Sequence, residues 1–332
     1  MTLYVISGAA GMTGSELSGK IVEEGNDVIG FDNFFASSVK TIRHLRNQDH
    51  FRFYQYDLNS AEDMEKLEGE VKERRHRYDS LVYINCGAVV HTEHFYHVRE
   101  TFETNVIGMK KLLEQAIRLK ADVYINCSTS EVYSMQSWKE GGVKESDFIM
   151  LANAEHSQRT SYASGKLLTE FFMKDAVMER KIKGCSIRFA NVYSKYERYP
   201  KHIIPHILNS LHREGKVELL ENARKNRRTF LYNEDSCNAV LELIKAPDAL
   251  DGSVYNVATE EEISIVDLVK LCAAKLEVSD PQITFRGYRE SDPERRILNT
   301  EKIRARTNWK PQVTLEEGIE ECVGELQKER LC

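Results

Sequence analysis

The sequence predicts an α/β protein: a doubly wound parallel sheet with a smaller, interleaved C-terminal domain. Three observations predict it. Short apolar runs alternate with stretches of helical period through the first half. A glycine-spaced turn follows the first apolar run directly. After about residue 190 the alternation loosens into shorter, mixed signals.

The strand candidates are residues 3–7 (LYVIS), 27–31 (DVIGF), 51–56 (FRFYQY), 80–85 (SLVYIN), 122–128 (DVYINCS) and 183–189 (KGCSIRF). Helix patterns lie between them at 15–25, 61–75, 106–120 and 162–181. In the third, Val106, Met109, Leu112, Leu113 and Ile117 share one face. Regular β-α alternation builds a parallel sheet covered by helices on both sides. The expected organisation is a dinucleotide-binding domain over 1–190 and a substrate-binding domain over 191–332. Some of the later segments (216–220, 228–232, 253–258, 264–276, 282–287 and 314–326) return to the sheet.

Composition narrows the function. The chain has 332 residues, 41% apolar and 30% charged, with a net charge of −6. That supports a packed core and argues against a general nucleic-acid binder, which carries a basic excess. No apolar stretch is long enough to span a membrane, and the N-terminus enters a strand with no basic lead. The seven cysteines are scattered with no C-x-x-C pair, as expected of free thiols in a cytoplasmic protein without a structural metal.

The turn after the first strand reads two ways. Gly8, Gly11 and Gly14 form a dinucleotide loop; Gly14, Gly19 and Lys20 form most of a triphosphate loop. The second fails on register, because Gly19 and Lys20 fall two turns into the helix and Ile21 stands where a magnesium-binding hydroxyl is required. The first fits: Gly8 for the tight turn, Gly11 for close approach of a pyrophosphate, Gly14 for helix packing, with Met12 and Thr13 opening the helix. Asp32 ends the second strand, where a carboxylate binds a ribose diol. It is followed by Asn33 with no arginine nearby, which favours NAD over NADP. Asp57 and Leu58 end the third strand, within expected reach of an adenine; a helix-capping role for Asp57 is the alternative.

Tyr162 and Lys166 lie four apart on one helical face. A nearby ammonium favours the phenolate, which would take a proton from a substrate hydroxyl as hydride leaves the same carbon for nicotinamide. The fifth strand ends in Ser128, Thr129, Ser130 and Glu131, at the sheet edge where parallel sheets bind ligands. Thr129 is positioned for the same hydroxyl. Glu131 is a candidate base for a C–H proton beside a carbonyl, or else a first-turn carboxylate meeting a helix dipole.

Taken in order, these segments resemble the extended short-chain dehydrogenase/reductase family, the nucleotide-sugar epimerases, dehydratases and decarboxylases. The resemblance runs through SGAAGMTGSEL, VYINCGAVVH, ETNVIGMKKLLE, STSEVY, YASGK, IRFANVYSKYERYP, RRTFLYNED and DPERR. It implies a Rossmann domain holding NAD, with Gly87, Ala88 and Asn105 beside the cofactor. It further implies Asn191, Arg228 and Arg296 on a nucleotide-diphosphate sugar, and a homodimer through a four-helix contact. The implied chemistry starts by oxidising the sugar C4 to a ketone, followed by 4,6-dehydration, decarboxylation or 4-epimerisation. Glu131 resembles the dehydratases and decarboxylases, while Ser130 departs from the Asp-Glu pair of glucose-type dehydratases. Ser134, Ser194, Asn299, Asn308 and the insert at 134–159 are further departures. The rival class is a non-catalytic NAD-sensing protein, which would typically lack the tyrosine or lysine.

Three patterns invite other readings. His91, His94 and His97 are spaced three apart, as helical metal ligands would be; their place after the fourth strand points instead to a loop near phosphates. His202 and His206 bracket Pro205, which spoils a regular turn. The basic run at 72–77 ends a helix, where cations suit the dipole.

Overall fold

The computed structural model describes residues 1–91, 93–136, 140–197, 199–290 and 292–328. Strands β1 (Thr2–Ser7), β2 (Asp27–Phe31), β3 (Phe51–Tyr54), β4 (Ser80–Asn85), β5 (Val123–Thr129) and β6 (Lys183–Phe189) form where β-branched, aromatic and other apolar residues concentrate. They alternate with helices α1 (Met12–Glu23), α2 (Ala61–Arg75), α3 (Val98–Phe102), α4 (Met109–Arg118) and α5 (Thr160–Met178). A π-helical turn at Glu103–Gly108 joins α3 to α4, so the third helix starts earlier than its apolar period suggests.

Past residue 190 come β7 (Val192–Tyr193), α6 (Ile203–Glu214), β8 (Lys216–Leu219), β9 (Arg227–Thr229), β10 (Leu231–Tyr232) and α7 (Asn233–Lys245). Then follow β11 (Asp251–Val257), β12 (Glu262–Ser264), α8 (Ile265–Lys275), β13 (Gln282–Phe285), β14 (Arg295–Arg296), α9 (Glu301–Arg306) and α10 (Leu315–Lys328). The main sheet is seven-stranded and parallel, in the order β11-β6-β5-β4-β1-β2-β3. β11 therefore returns from the C-terminal half to edge the sheet.

Alternation along each strand feeds two cores. Tyr4 and Ile6 of β1 pack with Leu17 and Ile21 of α1 and Val240 and Leu241 of α7. Leu3 and Val5 pack on the other face with Met64 and Leu67 of α2, Leu112 of α4 and Met173 of α5. A third core joins α6, α8 and α10 under the short strands of the cap. Because the sheet is parallel, the carboxyl ends of all its strands open on one edge, beneath the cap. The insert docks there too: Val143 N–H donates to Ile297 O at 2.8 Å and Asn299 Nδ2 to Gly141 O at 2.9 Å. The Asn299 departure thus ties the insert down.

Candidate active site

One cavity of about 1200 Å³ lies at that edge, between sheet and cap. Its first arm is the glycine turn. Gly8 has φ +66, and a Cβ there would sit 2.8 Å from the backbone of Cys86 and Gly87. A Cβ on Gly14 would lie 2.2 Å from Gly8 O. No side chain caps α1, so its first N–H groups remain for an anion. Asn233 buttresses the turn from α7, accepting from Thr13 Oγ1 (3.1 Å) and donating to Met12 O (3.2 Å). Gly14→Ala is expected to weaken dinucleotide binding at least roughly tenfold and to lower Tm, since backbone cannot yield to the methyl as a side chain would. Fluorescence titration with NADH and thermal melting check it.

Asp32 has a structural duty beside the expected one. Its Oδ2 accepts from Ala10 N–H (3.1 Å), and its Oδ1 from Phe34 N–H and Ser37 Oγ (2.8 Å each). It thereby pins the glycine turn to the loop after β2 while still lining the cavity. Asn33 donates to Asp57 Oδ2 at 3.1 Å, and Leu58 packs against Gly108, where a Cβ would come within 2.8 Å. Gly87 and Ala88 line the wall; Gly87 N–H donates to Ser7 Oγ. Asn105 stands apart from every other expected site residue. Both ends of its amide are engaged by Val89, at 2.7 and 3.0 Å, so it fixes the chain after β4 from behind and does not line the cavity.

α5 presents Tyr162 and Lys166, both buried, to the end of β5. Burial pushes the Tyr162 phenol up, opposed by a hydrogen bond with Thr129 and raised further by Glu131. The expected lowering by Lys166 is not what the geometry delivers. Lys166 Nζ donates to Cys127 O at 2.8 Å, and burial lowers its own pKa. Phe95 stacks face to face on Tyr162 (4.1 Å, 8°) and Ser161 Oγ holds Phe95 O at 2.8 Å. Ser128 lines the cavity and is tied into the fold behind it. Its hydroxyl donates to Glu170 (2.6 Å), which forks onto Arg188 at 2.9 and 2.6 Å.

Glu131 is held between two guanidinium groups, Arg296 at 2.9 Å and Arg159 at 3.3 Å. Burial alone would raise its pKa, but Arg296, Arg159 and Arg228 together hold it down at about 2. A carboxylate so stabilised has lowered proton affinity, which a role as base for a C–H proton would have to overcome. Its folded pKa lies below the unfolded value, so its contribution to stability is present above about pH 4.5 and lost as pH falls toward 2. Glu131→Gln is expected to flatten the fall in urea midpoint across that window.

Arg296, expected on the nucleotide sugar, is thus engaged by Glu131. Arg228 is engaged by Asp292 (2.8 Å) and by the carbonyls of Arg227 and Glu294. Asn191, at φ +43, donates to Thr229 O. All three still line the cavity. Sequence reasoning missed Arg159, although it caps α5 three residues before Tyr162. It also missed Phe95, for which the sequence carries no signal. His91 and His202 meet across the cavity mouth, but among the described residues no group of three metal-binding side chains converges; the His94 side chain is outside those described. Six cysteines are free thiols, and Cys332 lies outside the described residues. No helix among the described residues is long and apolar enough to cross a membrane.

Residues 5–322 match the profile of the family described as GDP-mannose 4,6 dehydratase. The chain belongs to that family. Within the extended short-chain dehydrogenase/reductase group, this family member is an NAD-dependent enzyme that modifies nucleotide sugars. It is 26% identical over 329 residues to mouse dTDP-D-glucose 4,6-dehydratase, covering 96% of this chain and 87% of the relative. It is 26% identical over 330 residues to UDP-glucuronic acid decarboxylase 1 of Xenopus tropicalis, covering 98% and 72%. In fold it is similar to the UDP-glucose 4-epimerase of Thermotoga maritima solved with UDP-glucose (TM-score 0.86, 22% identity, 99% and 100% covered). It is also similar in fold to a dTDP-glucose 4,6-dehydratase of Streptomyces venezuelae solved with NAD (TM-score 0.85, 20% identity, 99% and 98% covered).

Proposed function

We propose that this enzyme oxidises C4 of a nucleoside-diphosphate glucuronic acid and releases its C6 carboxylate as carbon dioxide. The glycine turn from Gly8 to Gly14, with Met12 and Thr13, would take the dinucleotide phosphates. Asp32 would take the ribose, Asn33, Asp57 and Leu58 the adenine end, and Gly87, Ala88 and Lys166 the nicotinamide end. The close approaches at Gly8 and Gly14 and the uncapped α1 support that placement. NAD, when bound, supplies a hydride acceptor. Tyr162 takes the proton of the C4 hydroxyl while Thr129 orients that hydroxyl.

The observation that carries the choice of reaction is the Thr129–Ser130–Glu131 end of β5. Dehydration needs an acid for the leaving C6 hydroxyl and a base at C5. Ser130 is no acid, and Glu131 is locked ionised by Arg159 and Arg296. Loss of carbon dioxide beside a C4 ketone needs neither. The electrons of the C5–C6 bond pass into the ketone, and C5 is protonated afterwards.

Mass spectrometry of products from UDP-glucuronic acid, UDP-glucose, dTDP-glucose and GDP-mannose tests this. Loss of carbon dioxide from the glucuronate is expected. Loss of water from a hexose, or a stereoisomer of unchanged mass, would replace the reading by dehydratase or 4-epimerase. A homodimer joined by α3–α4 and α5 accompanies the proposal, supported by exposed Phe102, Leu168 and Phe171 on those helices. Phe171→Glu is expected to convert dimer to monomer in light scattering. The buried free thiols support a reducing, cytoplasmic setting.

A further inference from the structure

Two thiols face each other at the floor of the cavity's first arm. Asn85 of β4 and Asn126 of β5 stand opposite in register, so Cys86 and Cys127 form the next pair along two neighbouring parallel strands. Both fall on the sheet face that carries Val82, Ile84 and Ile125, and their sulfurs lie 3.7 Å apart. Both are free thiols that line the cavity, and neither residue is closed off: Cys127 keeps 8% of its surface exposed and Cys86 is half-buried. Neighbouring strands run about 4.8 Å apart, and a disulfide joins Cα atoms about 4.4–6.8 Å apart. The backbone spacing already suits a disulfide, and the sulfurs need to close by less than ~2 Å. A third thiol of this face, Cys237 of α7, is turned instead to Thr13 O at 3.7 Å. The hydrogen bond with Cys86 draws the Cys127 thiol below its ordinary pKa against the effect of burial, and the Lys166 ammonium helps. The same bond, with burial, pushes Cys86 up. One sulfur is thereby the nucleophile and the other keeps its proton.

We propose that Cys86 and Cys127 are an oxidative modification site, a dithiol that a hydroperoxide closes to a disulfide and that bound NAD shields. The Cys127 sulfur attacks the peroxide; an S–O bond forms, the O–O bond breaks, and water leaves with the thiol proton. The Cys86 sulfur then attacks the resulting sulfenic acid; the S–S bond forms, the S–O bond breaks, and a second water carries off the Cys86 proton. The two sulfurs lose two electrons and the peroxide gains them, so one peroxide gives one disulfide and two waters. The link to the cofactor runs through the backbone. The chain at Cys86 and Gly87 packs so closely under the glycine turn that a Cβ on Gly8 would lie 2.8 Å from it. Gly87 N–H is tied to Ser7 Oγ at 3.0 Å, and Cys127 O holds Lys166 Nζ at 2.8 Å. Drawing the sulfurs together pulls on both strand ends, and so displaces the glycine turn and Lys166 from the places a dinucleotide needs. By linkage, a disulfide that weakens NAD binding is itself disfavoured by bound NAD. The inference rests on the placement of NAD in this arm, and not on which sugar reaction follows.

The test uses the full-length enzyme, reduced, freed of bound NAD on charcoal, and treated with hydrogen peroxide with and without added NAD. The remaining thiols are then alkylated. Mass spectrometry of a non-reducing digest is expected to show a peptide joining Cys86 to Cys127, which dithiothreitol abolishes. In NADH fluorescence titration the dissociation constant is expected to rise roughly tenfold on oxidation and to return with dithiothreitol, and saturating NAD is expected to slow the cross-link at least about fivefold. Cys127→Ser should form no cross-link and keep its NADH affinity within about twofold through the treatment. Cys86→Ser should instead accumulate a sulfenic acid at Cys127 that dimedone traps. No cross-link, a cross-link to another cysteine, an unchanged NADH constant in the cross-linked enzyme, or equal rates with and without NAD would overturn the proposal. Where NAD gives no protection, Gly14→Ala separates the causes. Weakened NADH binding in that variant keeps the cofactor in this arm and sinks the dithiol proposal alone, whereas unchanged binding sinks the placement of NAD.

Discussion

Tyr162→Phe is expected to lower turnover about a thousandfold while the NAD dissociation constant stays within about twofold. The change removes one oxygen from a ring whose position is set by other contacts. Phe95 stacks on it and the α5 backbone carries it, so the aromatic stack survives. What is lost is the group proposed to accept the proton of the C4 hydroxyl beside Thr129. Burial holds this phenol above its ordinary pKa, so the wild-type rate is expected to climb as pH rises through the titration of Tyr162. The variant's residual rate should lack that climb. Steady-state kinetics across pH, with NADH fluorescence titration alongside, decide it. Wild-type turnover in the variant would remove Tyr162 from the chemistry.

Glu170→Ala is expected to destabilise the fold by about 3–5 kcal/mol, a fall in Tm of roughly 6–10 °C for a chain of this size. Glu170 and Arg188 are both buried and joined by two hydrogen bonds. Removing one charge strands the other where water cannot reach it. Arg188 retains Tyr133, to which it is also bonded and over whose ring it lies at 4.9 Å, but gains no new anion. Ser128 loses its acceptor at the same time, so the end of β5 loosens and activity should fall with stability. The double change Glu170→Met with Arg188→Met should recover much of the loss, because no charge remains buried. Denaturant titration of the two variants beside the unchanged protein checks this; an unchanged midpoint for Glu170→Ala would show the pair to be dispensable.

Much of the site was legible in local spacing. Gly8, Gly11 and Gly14 sit where strand meets helix, and the turn they make depends on a few neighbouring residues. Tyr162 and Lys166 share a helix face because the helical period places them there. Glu131 shows the limit of local spacing. Its proton affinity is set by Arg296, which is 165 residues away in sequence, and by Arg159 on another element. Nothing local to β5 announces either partner. Asn105 was found by resemblance, yet its amide faces the backbone of Val89 and not the cavity.

The sequence by itself determined the alternation of strands and helices, the dinucleotide turn, the preference for NAD and the tyrosine–lysine pair, since each follows from periods and spacings within a few turns of chain. Only the tertiary structure decided what those residues meet. It spent the Lys166 ammonium on Cys127, clamped Glu131 between two arginines, laid Phe95 on Tyr162 and closed His91 over Tyr199. Protonation and hydrogen bonding depend on distance in space and on exclusion of water, and both are set by the order of strands in the sheet and the seating of the cap.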